Sequence, residues 1–162
     1  MIPIAQREAL LKAAAEDPIM SPAITTLMLT GMRIWELLEL QWKHVDFQAK
    51  TITIRQSRTR ELTCDEDGKT QRMVDALGAT NTRTSQRIIQ APDLVLTRLR
   101  EWMRHVATLK GGLKVLVPEG FIFISTRTMK MRTYSGFRAS YRHFLKRNGF
   151  EAESLNLHRF RP

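Results

Sequence analysis

The stretch that decides the fold is residues 30–40, which read TGMRIWELLEL. Its apolar positions recur at helical spacing and predict a short helix with one side turned into a core, formed by Ile34, Leu37, Leu38 and Leu40. Gly31 interrupts the helical pattern that precedes it, so the short helix begins beside a glycine. We therefore expect Arg33 to lie at a bend, with Arg33 and Glu36 on a different side from the apolar residues.

Helical patterns also occupy the chain before this segment. Apolar residues recur at helical spacing in two runs, which are Ile4, Leu10, Leu11 and Ala14, then Ile24, Leu27 and Met28. Between the runs, Ser21-Pro22 is typical of a helix cap followed by a proline in the first turn. The opening third of the chain is therefore expected to be helical.

After Trp42 the hydrophobic period changes from helical to two. Residues 51–54, TITI, alternate polar and apolar side chains as a half-buried strand does. Arg87-Ile88-Ile89 is the candidate closing strand, and Asp67-Gly68 is the candidate tip of a hairpin between the two strands. These patterns predict an α+β fold that is mostly helical, with a small antiparallel β-sheet or hairpin near residues 50–91.

The second half of the chain carries two more amphipathic helices. The first opens at Pro92-Asp93 and has apolar positions at Val95, Leu99, Trp102, Met103 and Val106. Residues 121–124, FIFI, predict a short strand, and a helix over about 133–147 is expected to bury Phe137, Tyr141, Phe144 and Leu145. Its other face carries Arg138, Arg142 and Lys146 at i, i+4 and i+8, where a solvated face and a surface that follows phosphates are equally compatible with the pattern.

Composition excludes several classes of protein. A chain of 162 residues with 43% hydrophobic content is long enough for one domain with a sizeable core and is not a disordered tail. No apolar run approaches the ~20 residues that a membrane span needs, so we expect a soluble, cytoplasmic protein with no membrane partner. The single cysteine and the spacing of the four histidines offer no disulfide and no zinc site. Gly68-Lys69-Thr70 resembles the end of a phosphate-binding loop, but Thr63 stands where that loop needs a glycine, so we expect no bound nucleotide. Since the chain also offers no zinc site, we expect no metal and no cofactor.

The charge of the chain is its first functional clue. The net charge is +10, and residues 126–162 hold nine Lys and Arg against two Glu. A basic face of this kind suits a nucleic acid, because each neutralised phosphate releases counterions and strengthens binding. A charge that serves only solubility is the alternative.

Two motifs of this chain resemble the catalytic domain of the tyrosine recombinase, or phage integrase, family. The first box of that family is a Thr-Gly-x-Arg-x-x-Glu-Leu segment that leads into a Trp-x-x-(Ile/Val)-Asp-Phe strand entry. It is matched in order by Thr30, Gly31, Arg33, Glu36, Leu37, Trp42, Val45, Asp46 and Phe47. The second box, His-x-x-Arg, is matched by His158 and Arg161, and residues 81–92 resemble the β-hairpin arm of the family. The resemblance covers essentially the whole chain and implies the tyrosine-recombinase catalytic-core fold.

The resemblance implies phosphoryl transfer on double-stranded DNA without metal or ATP. In the family a tyrosine hydroxyl attacks a phosphodiester, giving a 3′-phosphotyrosyl link and a free 5′-hydroxyl that later reverses the reaction on a partner strand. Arg33 and Arg161 would clamp the phosphate, where a pair of guanidinium groups can stabilise the developing charge. His158 would hydrogen-bond the phosphate or help to move a proton, and Glu36 would support the Arg33 segment.

The chain departs from the family pattern in two places. The hairpin lysine of the family, which protonates the leaving oxygen, aligns with Asn81, and an amide cannot be that acid. Arg83 is the nearest cation and Lys69 is a more distant candidate, so this role stays open. In addition, the family's tyrosine-bearing helices and its N-terminal DNA-binding domain have no counterpart here. We therefore expect residues 1–162 to be a partial catalytic domain that does not cleave DNA by itself.

The leading interpretation is a site-specific recombinase of a phage or mobile element, acting in the bacterial cytoplasm on DNA and self-associating as part of the full-length protein. The alternative is a non-catalytic nucleic-acid-binding module with a basic C-terminal face. In that module Arg33 would be a structural residue paired with Glu36.

Overall fold

The computed structural model describes residues 3–55, 61–64, 71–74, 86–109, 120–151 and 155. It divides into two compact units, one formed by Met1–Ile54 with Ile88–Pro162 and the other by Arg55–Arg87. Within the described residues, no helix is both long and apolar enough to cross a bilayer.

The helices of the larger unit pack around a central, buried helix. That helix is α2 (Ser21–Thr30), which has its first seven residues buried and packs against α1 (Ile4–Ala15) and α4 (Asp93–Leu109). The predicted apolar role of Ile4 is wrong, because Ile4 is 75% exposed and α1 meets α2 through its later residues Leu10 and Ala14. The predicted cap at Ser21 is one residue late. Met20 is the N-cap, and the Asp17 carboxylate accepts hydrogen bonds from Ile19 N and Met20 N just before the helix.

The predicted small sheet is confirmed, with three strands in the order β1-β2-β5. They are β1 (Val45–Asp46), β2 (Thr51–Arg55) and β5 (Gln86–Gln90). β1 and β2 are antiparallel with Val45 opposite Ile52, and a 3-10 helix over Trp42–His44 leads into them. The alternation in β2 turns Ile52 and Ile54 into the core, which is the face that the period of two predicted.

The smaller unit contains a separate antiparallel pair of strands. β3 (Glu61–Cys64) pairs with β4 (Gln71–Val74), with Glu61 opposite Val74 and Cys64 opposite Gln71. The predicted hairpin tip at Asp67-Gly68 lies outside the described residues.

The second half of the larger unit follows the sequence pattern closely. α4 buries Val95, Leu99, Trp102 and Val106, and α5 (Tyr134–Arg147) buries all four residues predicted for it. Residues 121–124 form two isolated bridges instead of the predicted strand, with Phe121 opposite Gln41 and Ile124 opposite Met131. The chain turns at Ser125, so this segment is too short for a continuous ladder. Ile122, Phe123 and Ile124 are buried, and the indole N–H of Trp102 donates to Ile122 O at 2.6 Å.

Candidate active site and nucleic-acid interface

The backbone around Gly31 brings Arg33 to the surface. Gly31 ends α2 in the left-handed conformation, with φ 63°, and its N–H donates to Leu27 O. Only glycine adopts this conformation without strain, so the glycine allows the sharp turn. Arg33 then lies in extended conformation as the N-cap of α3 (Ile34–Leu38). The predicted bend at Arg33 is therefore confirmed.

Glu36 fixes Arg33 through both its main chain and its side chain. Glu36 Oε2 accepts a hydrogen bond from Arg33 N at 2.7 Å, and Glu36 Oε1 accepts one from Arg33 Nη1 at 3.1 Å. The Glu36 side chain is 6% exposed, whereas that of Arg33 is 46% exposed. The sequence pattern predicted Glu36 away from the apolar side. Its carboxylate is nevertheless buried, because it reaches back from the first turn of α3 to the otherwise unpaired N–H at the cap.

The Arg33 guanidinium keeps most of its donors for a ligand. Among the described residues Glu36 is its one hydrogen-bond partner, and that contact uses Nη1 alone. Within the described part of the chain, Nε and Nη2 therefore have no partner, and the side chain is almost half exposed. A guanidinium with this geometry can give two parallel hydrogen bonds to the oxygens of a phosphate.

Removing the Glu36 carboxylate should destabilise the protein. Glu36→Ala leaves Arg33 N and Arg33 Nη1 without their acceptor, and a lost partner of this kind costs about 1–3 kcal/mol of unfolding free energy. Urea unfolding measures the change. Glu101→Ala is the matched control, since Glu101 forms the same i, i+3 pair with Arg98 at 2.8 Å but is 46% exposed. We expect the control to change stability by less than about 0.5 kcal/mol. Equal effects in the two variants would contradict the supporting role of Glu36.

The other predicted catalytic residues lie outside the described part of the chain. They are His158, Arg161, Asn81 and Arg83. Whether His158 and Arg161 approach Arg33 therefore stays a prediction, as does the choice of a general acid in the hairpin.

The predicted basic stripe lies on the exposed face of α5. Arg138, Arg142 and Lys146 are all exposed, while the apolar face of the helix is buried. In the described part of the chain these three side chains form no hydrogen bond or ion pair. Thr133 caps the helix by accepting a hydrogen bond from Gly136 N at 3.1 Å. Among the residues that the structure describes, the stripe is thus a row of cations with no acidic partner, spaced about 6 Å apart along the helix axis.

The structure adds a basic turn that the sequence analysis did not single out. Residues 125–132 fold back on themselves, with Ser125 N bonded to Lys130 O and Met129 N bonded to Ser125 O. Met129 has φ 57°, and Arg127 and Lys130 are exposed. Residues 125–150 contain seven Lys and Arg and no acid, which is the signal that could have pointed to this turn. The basic surface therefore consists of this turn together with the stripe on α5.

Asp17 compensates part of the charge beside this surface. Asp17 Oδ2 accepts a hydrogen bond from Arg147 Nη2 at 2.7 Å. Burial lowers the pKa of the Arg132 guanidinium, and the nearby Asp17 carboxylate partly offsets this by raising it. A guanidinium remains charged at neutral pH despite such a shift, so Arg132 adds a half-buried positive charge at the start of α5.

An aromatic pair joins the basic helix to the Arg33 segment. The ring of Trp35, in α3, lies 4.7 Å from that of Tyr134, the first residue of α5, with a tilt of 33°. The sequence offered no signal for this contact, because the two residues are far apart in the chain. Tyr134 and Arg138 share a helix face, so the contact places the start of the stripe beside α3.

Neither tyrosine of the chain has the surroundings of an exposed nucleophile. Tyr141 is 2% exposed and donates a hydrogen bond to Leu155 O at 2.9 Å. Burial raises the pKa of its hydroxyl well above the usual range, which disfavours the phenolate. This confirms the predicted position of Tyr141 in the core. Tyr134 is half-buried against Trp35.

The fold and the order of the first-box residues are those of a recombinase-type catalytic core, and comparison with known proteins gives the family. The model of the phage integrase family matches residues 2–162. This chain therefore belongs to the phage integrase family, as the resemblance of its two motifs predicted.

Solved structures show the same fold. A XerA recombinase matches with a TM-score of 0.60 and 18% identity, over 93% of this chain and 45% of the other. The Tn1549 transposon integrase in complex with transposon right end DNA matches with a TM-score of 0.66 and 20% identity, over 98% of this chain and 50% of the other. Its complex with circular intermediate DNA gives a TM-score of 0.61 at 19% identity, over 98% and 48%. This chain thus spans about half the length of these solved chains, and no curated protein sequence matches it.

Proposed function

We propose that this chain is part of the catalytic domain of a site-specific DNA recombinase, and that Arg33 binds the phosphate at which the strand is cut. The observation that carries the proposal is the half-exposed Arg33 guanidinium, held by a buried carboxylate in a chain of the phage integrase family. The Glu36 carboxylate holds the Arg33 guanidinium through Nη1, while almost half of the Arg33 side chain stays exposed to a ligand. Phosphate recognition is the chemistry that such a guanidinium performs best.

The proposed reaction exchanges one phosphate ester for another. A tyrosine hydroxyl loses its proton, and its oxygen forms a bond to phosphorus while the bond from phosphorus to the 5′ oxygen breaks. That oxygen takes up a proton, and the 3′ end of the strand remains linked to the tyrosine. Negative charge grows on the non-bridging oxygens along this path, and Arg33, with Arg161 as its proposed partner, stabilises it. His158 would hydrogen-bond the same phosphate.

The nucleophile of this proposal comes from outside the chain. Tyr141 is buried with its hydroxyl bonded, and the ring of Tyr134 is engaged with Trp35. The solved relatives are about twice as long as this chain, which supports a larger protein that supplies the tyrosine. In that protein we propose self-association on DNA, since strand exchange joins ends from two duplexes.

The basic surface would hold the DNA beside Arg33. The stripe on α5 and the turn at residues 125–132 present exposed cations with few acids near them, which favours a polyanion. Two solved relatives with the same fold are complexes of an integrase with DNA, which supports duplex DNA as the partner. Contacts of this kind fix the position of the duplex and do not read its sequence.

The non-catalytic alternative also has an observation in its favour. It expects Arg33 to pair with Glu36, and the two residues do pair. The ion pair is therefore compatible with both functions, and only a reaction separates them.

The experiment is capture of the whole recombinase on DNA. A duplex nicked just beyond the cleavage site releases a short fragment on cleavage, so a covalent complex accumulates. We expect a 3′-linked adduct that survives denaturation and is removed by protease, together with a new 5′-hydroxyl. A protein that binds the duplex tightly and yields no adduct would support the binding module instead.

A further inference from the structure

The short helix that carries the Arg33 segment cannot fix its own orientation. α3 has five residues, which is little more than one turn, and a helix of this length is not stable without packing. Ile34, Leu37 and Leu38 anchor one side of it in the core. A second contact on the opposite side of the helix adds to this anchor and constrains how Arg33 is presented.

That second contact is the ring of Tyr134 against Trp35. The two ring centres are 4.7 Å apart, a distance at which aromatic pairs attract each other in a defined geometry. The position of Tyr134 is itself fixed, because α5 is capped by Thr133 and anchored by the buried Phe137 and Tyr141. α3 is thus anchored on one side by the core and on the other by the contact of Trp35 with the start of α5.

The same helix face carries the proposed DNA contacts. Arg138 follows Tyr134 by one turn, so the ring pair and the first cation of the stripe are neighbours on α5. Trp35 precedes Glu36, which bonds both the main chain and the guanidinium of Arg33. Helix neighbours, one ring contact and the hydrogen bonds of Glu36 therefore connect the stripe to Arg33 by way of Tyr134 and Trp35.

We propose that Trp35 and Tyr134 are positioning residues for catalysis, which set the distance between the phosphate held by Arg33 and the DNA backbone held by α5. This inference rests on the proposed recombinase function. Neither side chain touches the reacting atoms. Their role is to hold Arg33 at the correct position relative to the duplex. A displacement of a catalytic group by about 1 Å can cost up to about a hundredfold in rate.

A double-mutant cycle in the whole recombinase tests the pair. Trp35→Ala and Tyr134→Ala should each slow single-turnover cleavage about ten- to a hundredfold, with DNA affinity within about threefold of the wild type. The double variant should be no slower than the worse single variant, because one contact is lost in all three proteins. Tyr134→Phe keeps the ring and should restore the rate to within about twofold, whereas Tyr134→Leu keeps apolar volume without a ring and should not.

The matched control removes a ring from another aromatic pair. His105 stacks on Trp102 in α4 with ring centres 5.6 Å apart, and His105→Ala should leave cleavage unchanged. Thermal unfolding of each variant establishes that it is folded, and Tyr134→Leu provides the comparison if either alanine variant is not. Additive losses in the double variant, or full cleavage by Tyr134→Leu, would overturn the positioning role. If Arg33→Ala also cleaves normally, the proposed function fails; if Arg33→Ala is inactive while Trp35→Ala is normal, only this inference fails.

Discussion

Arg33→Ala in the whole recombinase should lose DNA strand cleavage by at least about 10²–10³-fold, which is the usual effect of removing one preorganised donor from a developing oxyanion. DNA affinity should fall by less than about tenfold, because Arg33 is one cation among many on the basic surface. The two effects differ because the charge on the non-bridging oxygens grows only on the way to the transition state. Single-turnover cleavage of the nicked duplex and equilibrium binding of the intact duplex measure them separately.

Arg33→Lys sharpens this expectation. Lysine keeps the positive charge but loses the planar fork that donates two parallel hydrogen bonds. Affinity should therefore remain close to that of the wild type, while cleavage stays at least about tenfold slower. Full activity in Arg33→Lys would mean that Arg33 supplies charge alone.

Arg98→Ala is the control for the loss of an ion pair. Arg98 pairs with Glu101 at i, i+3, as Arg33 does with Glu36, and it lies beside Ser21 and Pro22 at the start of α2. Arg33 follows the other end of that helix, about 15 Å away along its axis. Cleavage should survive in Arg98→Ala. If the Arg33 variant loses no more cleavage and no more affinity than the Arg98 variant, Arg33 is not catalytic.

The sequence was sufficient wherever the structure depends on local periodicity. Spacing alone predicted the buried residues of α5 and those of β2, because a helix or strand has a fixed repeat and one face must leave water. The motif around Arg33 also predicted its local conformation, since Gly31 permits the turn that ends α2. These parts of the fold need only residues that are close in the chain.

Contacts between distant segments were not predictable in the same way. The pairing of Trp35 with Tyr134 and that of Arg147 with Asp17 join the two ends of the chain, and no periodicity reports them. The burial of Glu36 was missed for a related reason. A carboxylate is expected at the surface, whereas the Glu36 carboxylate turns inward to accept the hydrogen bond from Arg33 N.

The stripe on α5 should account for a large share of DNA affinity. Replacing Arg138, Arg142 and Lys146 together by Gln removes three phosphate contacts, so the slope of log affinity against log salt should become shallower by about 2.7. With the affinity at 1 M salt unchanged, this corresponds to an affinity loss of about 500-fold at 0.1 M salt. Titration of a labelled duplex at several salt concentrations gives both quantities.

The control for this triple variant must carry the same change of net charge. Lys12, Lys43 and Arg104 are exposed residues of α1, the 3-10 helix and α4, and their joint replacement by Gln also removes three positive charges. If affinity depended on net charge alone, the two triple variants would bind alike; we expect the control to keep most of the salt dependence of the wild type. Stability adds a second argument, since three like charges one turn apart repel by a few tenths of a kcal/mol per pair. The α5 variant should therefore unfold no more easily than the wild type, so that its weaker binding reports lost phosphate contacts and not a damaged fold.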